Sequence, residues 1–223
     1  MQVLIADDHP LFRDALRRAV ARALPEAELV ETDTVAGLFE VAGAHPDADL
    51  LLLDLNMPGA RGFSALVHLR GQFPRLPVIV VSAREEPAVM RRALACGASG
   101  FIPKSADLAT IARAIAEVLD GQLWLPEGVD PHGSLDPEEQ ALAVRIAELT
   151  PQQFRVLGML GEGLLNKQIA WDLGVSEATI KAHMTAILRK LGAHNRTQAI
   201  LVAGRLALDP RTDVDSPPVS GRP

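Results

Sequence analysis

The fold of this chain is decided by Asp49-Leu50-Leu51-Leu52-Leu53-Asp54-Leu55-Asn56-Met57-Pro58-Gly59. Four consecutive leucines show no alternation of apolar and polar residues. A strand made of them must be covered on both faces, as in a parallel sheet between helices. Asn56, Pro58 and Gly59 then stop regular structure. The run therefore carries Asp54 to the carboxyl edge of a sheet, where open α/β folds gather their chemistry. A lone carboxylate at a strand end has a plainer use, ending the strand or capping the next helix. Asp54 by itself does not separate the two.

Outward from this stretch, the first 120 residues alternate apolar runs with amphipathic ones. Val3–Ala6, Leu29-Val30, Leu50–Asp54, Pro77–Ser82 and Gly100–Pro103 read as strands. Helices are expected over Pro10–Ala23, Val35–Ala44, Phe63–Phe73 and Pro87–Ala95, the last stopped by Gly97. A final helix over Ala106–Asp120 is expected to be capped by Ser105, with Leu108, Ile111, Ala112, Ile115 and Leu119 inward. Five strands alternating with five helices predict a doubly wound, five-stranded parallel sheet, an α/β fold. Asp7 and Asp8, Asp54, Ser82 and Lys104 then stand at the ends of four strands, which meet at the switch point of such a sheet. That coincidence lifts Asp54 above the plainer reading.

With Asp7-Asp8, Asp54 inside Asp-Leu-Asn-Met-Pro-Gly, Ser82, Phe101 and Lys104 in these places, residues 1–120 resemble the flavodoxin-like receiver domain of two-component response regulators. The resemblance implies Mg²⁺ bound by Asp8 and Asp54, by Asp7 through water, and by the backbone carbonyl of Asn56. A hard cation with oxygen ligands suits three crowded carboxylates. It also implies that Asp54 takes a phosphoryl group from a sensor histidine kinase, as an aspartate nucleophile. Lys104 would then pair with the phosphoryl group, Ser82 would hydrogen-bond it, and Phe101 would turn inward as an aromatic switch. Taken singly, Lys104 is an ordinary solvated side chain, Phe101 an ordinary core residue, and Asp8 or His9 a helix cap. Many receivers have proline after the lysine; here Pro103 precedes Lys104, and no cis bond is encoded.

From Gly121 to Asp136 the chain turns acidic and is broken by Pro126, Gly128, Pro131 and Gly133, the signature of a linker. Asp136-Pro137-Glu138-Glu139 opens a short helix running to about Glu148, so 121–148 is read as a linker containing one helix. Residues 149–208 are helical throughout. Thr150-Pro151-Gln152-Gln153 is a capping box. A short helix from Asn166, the turn Gly174-Val175-Ser176 and a longer helix to Leu191 make a helix-turn-helix. Ile180, Met184, Ile187, Leu188 and Leu191 line the inner face of the longer helix; Thr179, Lys181, Ala182, Thr185 and Arg189 lie opposite.

This segment resembles the LuxR-type DNA-binding domain of the NarL/FixJ family, from Leu149-Thr150-Pro151 through Asn166-Lys167-Gln168-Ile169-Ala170 to Leu188-Arg189-Lys190-Leu191-Gly192. The resemblance implies base contacts from Lys181, Ala182 and Thr185, and phosphate contacts from Lys167, Thr179 and Arg189. It further implies homodimers on double-stranded DNA, joined through a last helix over Thr197–Leu208. RNA polymerase is an implied partner, and the unphosphorylated receiver is expected to cover the recognition helix. Gln153-Phe154 departs from the charged pair usual at that place. Residues 209–223, with Pro217-Pro218, are expected to be disordered.

Charge supports the division. Residues 150–208 carry 7 Lys and Arg against 3 Asp and Glu, while residues 1–120 carry 12 against 16. A net of +4 beside a net of −4 suits a polyanion partner for the second half. The opening residues lack a basic n-region, no apolar run approaches a membrane span, and Cys96 is the single cysteine. A cytoplasmic protein without membrane contact or disulfide is expected, with Cys96 buried. Two rival functions stand beside the phosphorylated regulator. One is a DNA-binding regulator whose receiver only oligomerises. The other is a phosphohydrolase with Asp54 as nucleophile, which leaves the basic helix-turn-helix without a use. An enzyme acting on free substrates is therefore not expected.

Overall fold

The computed structural model describes residues 1–59, 62–131 and 137–204. Strands β1 (Gln2–Ala6), β2 (Glu28–Thr32), β3 (Leu50–Asp54), β4 (Val78–Ser82) and β5 (Gly100–Pro103) form one parallel sheet in the order β2-β1-β3-β4-β5. Helices α1 (Pro10–Ala23) and α5 (Leu108–Leu119) cover one face; α2 (Val35–Ala44), α3 (Ser64–Gln72) and α4 (Pro87–Ala95) cover the other. The leucine run does what its lack of alternation demands. Leu50 and Leu52 enter the core under α1 and α5, Leu51 and Leu53 enter the opposite core, and all four are fully buried. The order reverses between β1 and β3, which puts the ends of those strands side by side.

Three sequence expectations need correction here. The cap of α5 is Asp107, whose side chain accepts from Thr110 N at 2.7 Å, and not Ser105. Starting the helix later leaves Leu108 at the first turn, 38 % exposed instead of inward. The supposed linker is also partly sheet. Trp124 pairs with Gly100 at the edge of β5, donates its N–H to Ser99 O, accepts from Phe101 N, and is buried. Proline and glycine around it signal irregular chain, but an open strand edge with unpaired N–H and C=O groups captures whatever passes along it.

The second half is α6 (Pro137–Ala147), α7 (Pro151–Gly161), α8 (Asn166–Asp172), α9 (Glu177–Leu191) and α10 (Arg196–Gly204). The capping box of α7 forms as expected: Thr150 Oγ1 accepts from Gln153 N, and Gln153 Oε1 accepts from Thr150 N. Ser176 caps α9 by accepting from Thr179 N, and Gly192 ends it in the left-handed conformation at φ 66°. Ile180, Met184, Ile187 and Leu191 of α9 pack inward against α7, α8 and α10. The expected cap at Asp136, the last four residues of the expected final helix and the 209–223 tail fall outside the described residues.

The two halves share a seam. On α3, the fully buried His68 stacks on Phe154 of α7 with ring centroids 4.4 Å apart, and Phe39 of α2 meets both rings edge-on. His68 Nδ1 lies 3.3 Å from Ile146 O, and Gln72 Nε2 donates to the carbonyls of Ala147 and Leu149. Two glycines allow this approach. A Cβ on Gly71 would sit 2.6 Å from the Ala147 Cβ, and one on Gly158 would land on the Gly59 carbonyl oxygen.

Candidate functional site

Three strand ends turn in the same way. Asp7 Oδ1 accepts from His9 N at 2.7 Å, Asp54 Oδ1 from Asn56 N at 3.2 Å, and Ser82 Oγ from Arg84 N at 3.1 Å. Each residue uses its short polar side chain to bind the N–H two residues on, which bends the chain out of the sheet. For the two aspartates this holds one oxygen and leaves the other aimed across the edge. Both free oxygens meet the same ammonium: Lys104 Nζ is 2.7 Å from Asp7 Oδ2 and 2.8 Å from Asp54 Oδ2. Lys104 itself follows β5 with its N–H on Ser82 O, and its ammonium lies 4.9 Å from the centre of the Phe12 ring.

Asp7, Asp8 and Asp54 cluster three carboxyl groups, two of them on the one ammonium, and Asp7 and Asp54 are buried. Burial pushes the Asp54 carboxyl above the usual carboxylate range, and the Asp7 charge adds to this. The Lys104 ammonium and the Asn56 N–H pull the other way. Asp7 Oδ2 is met by the Lys104 ammonium at 2.7 Å and Asp8 Oδ1 by the His9 ring at 2.8 Å. Three clustered carboxyl groups against a single ammonium fit a cation-binding pocket, since a hard divalent ion satisfies oxygen lone pairs and offsets the excess negative charge. Asp7, Asp8, Asp54 and also His9 can each offer one ligand atom, all within 4.8 Å of one another.

The remaining expected residues surround this pocket or lie in the other half. Asn56 is exposed in the loop after Asp54, and Ser82 is fully buried one register step beyond the Asp54–Val81 pair. Phe101 is already inward, fully buried in the core beneath α3 and α4. Along α9, Lys181, Ala182, Thr185 and Arg189 are exposed and Thr179 half-buried; Lys167 is exposed on α8. The expectation that the receiver covers the recognition helix is corrected: the receiver touches this half through α6, α7 and α10, and the outer face of α9 stays open. Two cations counted in the positive charge of residues 150–208 bond within the protein. Lys190 Nζ donates to Glu148 O and Gln153 Oε1, and Arg196 to Leu164 O. Gln153 thus replaces the missing charged pair with a hydrogen bond to Lys190. His68 and the pocket role of His9 were missed by sequence reasoning. A histidine on an amphipathic helix carries no mark of the seam, whereas His9 could have been found from its place beside Asp8.

This parallel sheet with its acidic switch-point pocket, followed by a helix-turn-helix, defines a regulator that couples a receiver to a DNA-binding unit. Residues 3–116 match the response regulator receiver domain, and residues 147–203 match the luxR family of bacterial regulatory proteins. The chain belongs to the two-component response regulators of the NarL/FixJ family, and is a DNA-binding transcription regulator. It is 41% identical over 215 residues to a glycerol metabolism activator of Pseudomonas putida, covering 91% of this chain and 95% of that one. It is 32% identical to the nitrate/nitrite response regulator NarL of Escherichia coli K12, covering 88% and 92%. Among solved structures it resembles the RcsB response regulator of Salmonella typhimurium, with TM-score 0.53, 26% identity, and 90% and 96% coverage. A structure of two RcsB dimers bound to two parallel DNAs also matches at TM-score 0.53 and 27% identity, covering 92% and 98%. Among the described residues, no helix is long and apolar enough to cross a membrane.

Proposed function

We propose that Asp54 accepts a phosphoryl group from a phosphohistidine of a sensor kinase, and that this controls dimerisation and DNA binding. The supporting observation is the convergence of Asp54 Oδ2 and Asp7 Oδ2 on Lys104, each aspartate held by its own strand-end turn. In the transfer an Asp54 carboxylate oxygen forms the new bond to phosphorus while the bond to the histidine nitrogen breaks. The protein's work is alignment and charge neutralisation. Asp7, Asp8, Asp54 and the Asn56 carbonyl would hold Mg²⁺, which supplies neutralisation of the phosphoryl charge. Lys104 would leave Asp7 to pair with the phosphoryl group, and the Ser82 hydroxyl would leave Arg84 N to donate to it, with Phe101 packed behind. Water later attacking the aspartyl-phosphate returns Asp54, so turnover is confined to the protein's own carboxylate.

The open face of α9 favours control of dimerisation over unmasking. Met57 and Pro58 of the loop after Asp54, with Ile200 and Ala203 of α10, line a cavity of about 280 Å³. In this family the last helix joins the dimer, so the loop adjoins the helix it would govern. On DNA, Lys181, Ala182 and Thr185 would meet base edges in the major groove, and Lys167, Thr179 and Arg189 the phosphates. The working units are 1–120 and 149–208, joined by 121–148, with Trp124 belonging structurally to the first. RNA polymerase is the onward partner, and the cytoplasm the setting.

Phosphate-affinity electrophoresis after acetyl phosphate and Mg²⁺ tests the reading. One shifted band is expected, absent in Asp54→Ala; a band that survives the substitution sinks it. On DNA, Lys181→Ala is expected to cost ~1–3 kcal/mol and relax one base position, whereas Lys167→Ala weakens all sequences alike and lowers the salt slope by about 1. Binding titrations at several salt concentrations separate the two.

A further inference from the structure

His9 stands at the N-cap of α1, with Pro10 at the first helical position, yet its side chain makes no cap hydrogen bond. Serine, threonine, asparagine or aspartate is the usual choice there, because a short side chain reaches the orphan N–H groups. The imidazole reaches the other way. Its Nδ1 lies 2.8 Å from Asp8 Oδ1, 3.3 Å from Asp7 Oδ1, 3.7 Å from Asp54 Oδ2 and 3.4 Å from Lys104 Nζ. Nδ1 is thus the ring atom turned toward the carboxylates and the ammonium alike. In the neutral tautomer protonated at Nε2, the ring presents a nitrogen lone pair to the same space as the carboxylates. Asp8 Oδ1 is the nearest of these atoms to the ring nitrogen. With Asp7 and Asp54, these two residues place four possible ligand atoms within 4.8 Å of one another.

The separations agree with that role. Six ligands at ~2.0–2.1 Å from a small divalent ion place neighbouring ligand atoms about 3 Å apart. The carboxylate oxygens stand at 2.8, 3.3 and 3.7 Å from Nδ1. The His9 side chain is 62 % exposed, so the ring lies on the rim, where it can adjust without repacking the core.

We propose that His9 Nδ1 is a fourth side-chain ligand of the receiver's cation, tilting this pocket from Mg²⁺ toward first-row transition ions. The inference rests on the cation-binding reading of the pocket and goes beyond it. Mg²⁺ prefers an all-oxygen shell, whereas imidazole nitrogen is a good ligand for transition metals. A mixed set of one nitrogen and three carboxylates therefore raises affinity for an ion such as Co²⁺ while doing little for Mg²⁺.

The test uses the full chain with Mn²⁺ as a paramagnetic probe. Pulsed electron paramagnetic resonance is expected to show coupling to a directly bound ¹⁴N in the wild type. The coupling should vanish in His9→Ala, a substitution at an exposed position whose fold is checked by circular dichroism. Calorimetry is expected to give a Co²⁺ affinity at least about tenfold weaker in His9→Ala, since loss of even an outer partner of a metal ligand costs about 10–100-fold. Mg²⁺ affinity should stay within about twofold, a small change for an all-oxygen shell. Mn²⁺ bound without nitrogen coupling, or coupling that survives His9→Ala, overturns the role of His9 alone. If Asp54→Ala leaves Mn²⁺ binding unchanged, the cation-binding pocket itself falls, and the inference with it.

Discussion

The acidic pocket and the seam between the two halves lie at either end of the loop after Asp54 and are built by opposite means. The pocket is made of polar groups on strand ends, each held by a hydrogen bond to its own chain two residues on. Its excess negative charge is met by Lys104, and a cation would meet it in the same way, without moving the sheet. The seam is closely packed, with His68, Phe39 and Phe154 in mutual ring contact and glycines where backbones meet. It accepts no such exchange; a packed surface gives way in discrete steps. The loop Asn56–Gly59 joins them, bonded to Asp54 at one end and set against Gly158 at the other. A local electrostatic change thus adjoins a surface that can only open or stay closed, which is the pairing a switch requires.

The largest way to break the comparison is Gly158→Leu. Its side chain would meet the Gly59 carbonyl, which is backbone and cannot swing aside. About 3 kcal/mol of seam packing should be lost. Small-angle scattering should show a larger radius of gyration, while acetyl phosphate still labels Asp54. An unchanged radius would mean that the seam is not what holds the halves together.

His68 gives the next effect. Burial, with a smaller push from the Lys190 charge, lowers it to about 4, against the Ile146 carbonyl that favours the proton. Its folded pKa lies below the ordinary 6.5 of the unfolded chain, so stability is fully present above pH 6.5 and is lost as pH falls toward 4. Between pH 7.5 and 5.0 this amounts to about 2 kcal/mol. His68→Phe keeps an aromatic ring for the stack, and should flatten the dependence of melting temperature on pH over that range. An equally steep slope in the variant would place the titrating group elsewhere.

Thr150→Ala is the smallest change and sharpens the contrast. It removes one cap hydrogen bond beside the seam without touching a packed ring. A loss of ~1 kcal/mol is expected in denaturant melts, with phosphorylation unaffected.

Much of this was legible in the sequence. The bounds read for α1, α2, β3, α4 and β5 agree with those observed, because periodicity, proline at a first helical position and glycine at a stop act over a few residues. The pocket was legible for the same reason: Asp7, Asp8, Asp54 and Lys104 had to converge once their strands were parallel neighbours. The cap of α5 was misread because Ser105 and Asp107 are both able caps two residues apart. Trp124 was assigned to a linker because its partner is a strand edge, which local composition does not register.

By itself, then, the sequence determined the sheet, the strand-end carboxylates and the capping box of α7, all set by hydrogen bonds and side-chain periods that span only a few residues. Tertiary structure decided that Trp124 extends the sheet, that His68 is a buried seam residue and that the face of α9 is open. These depend on which finished surfaces meet. His68 and Ile146 are 78 positions apart, and no local pattern specifies a contact of that range.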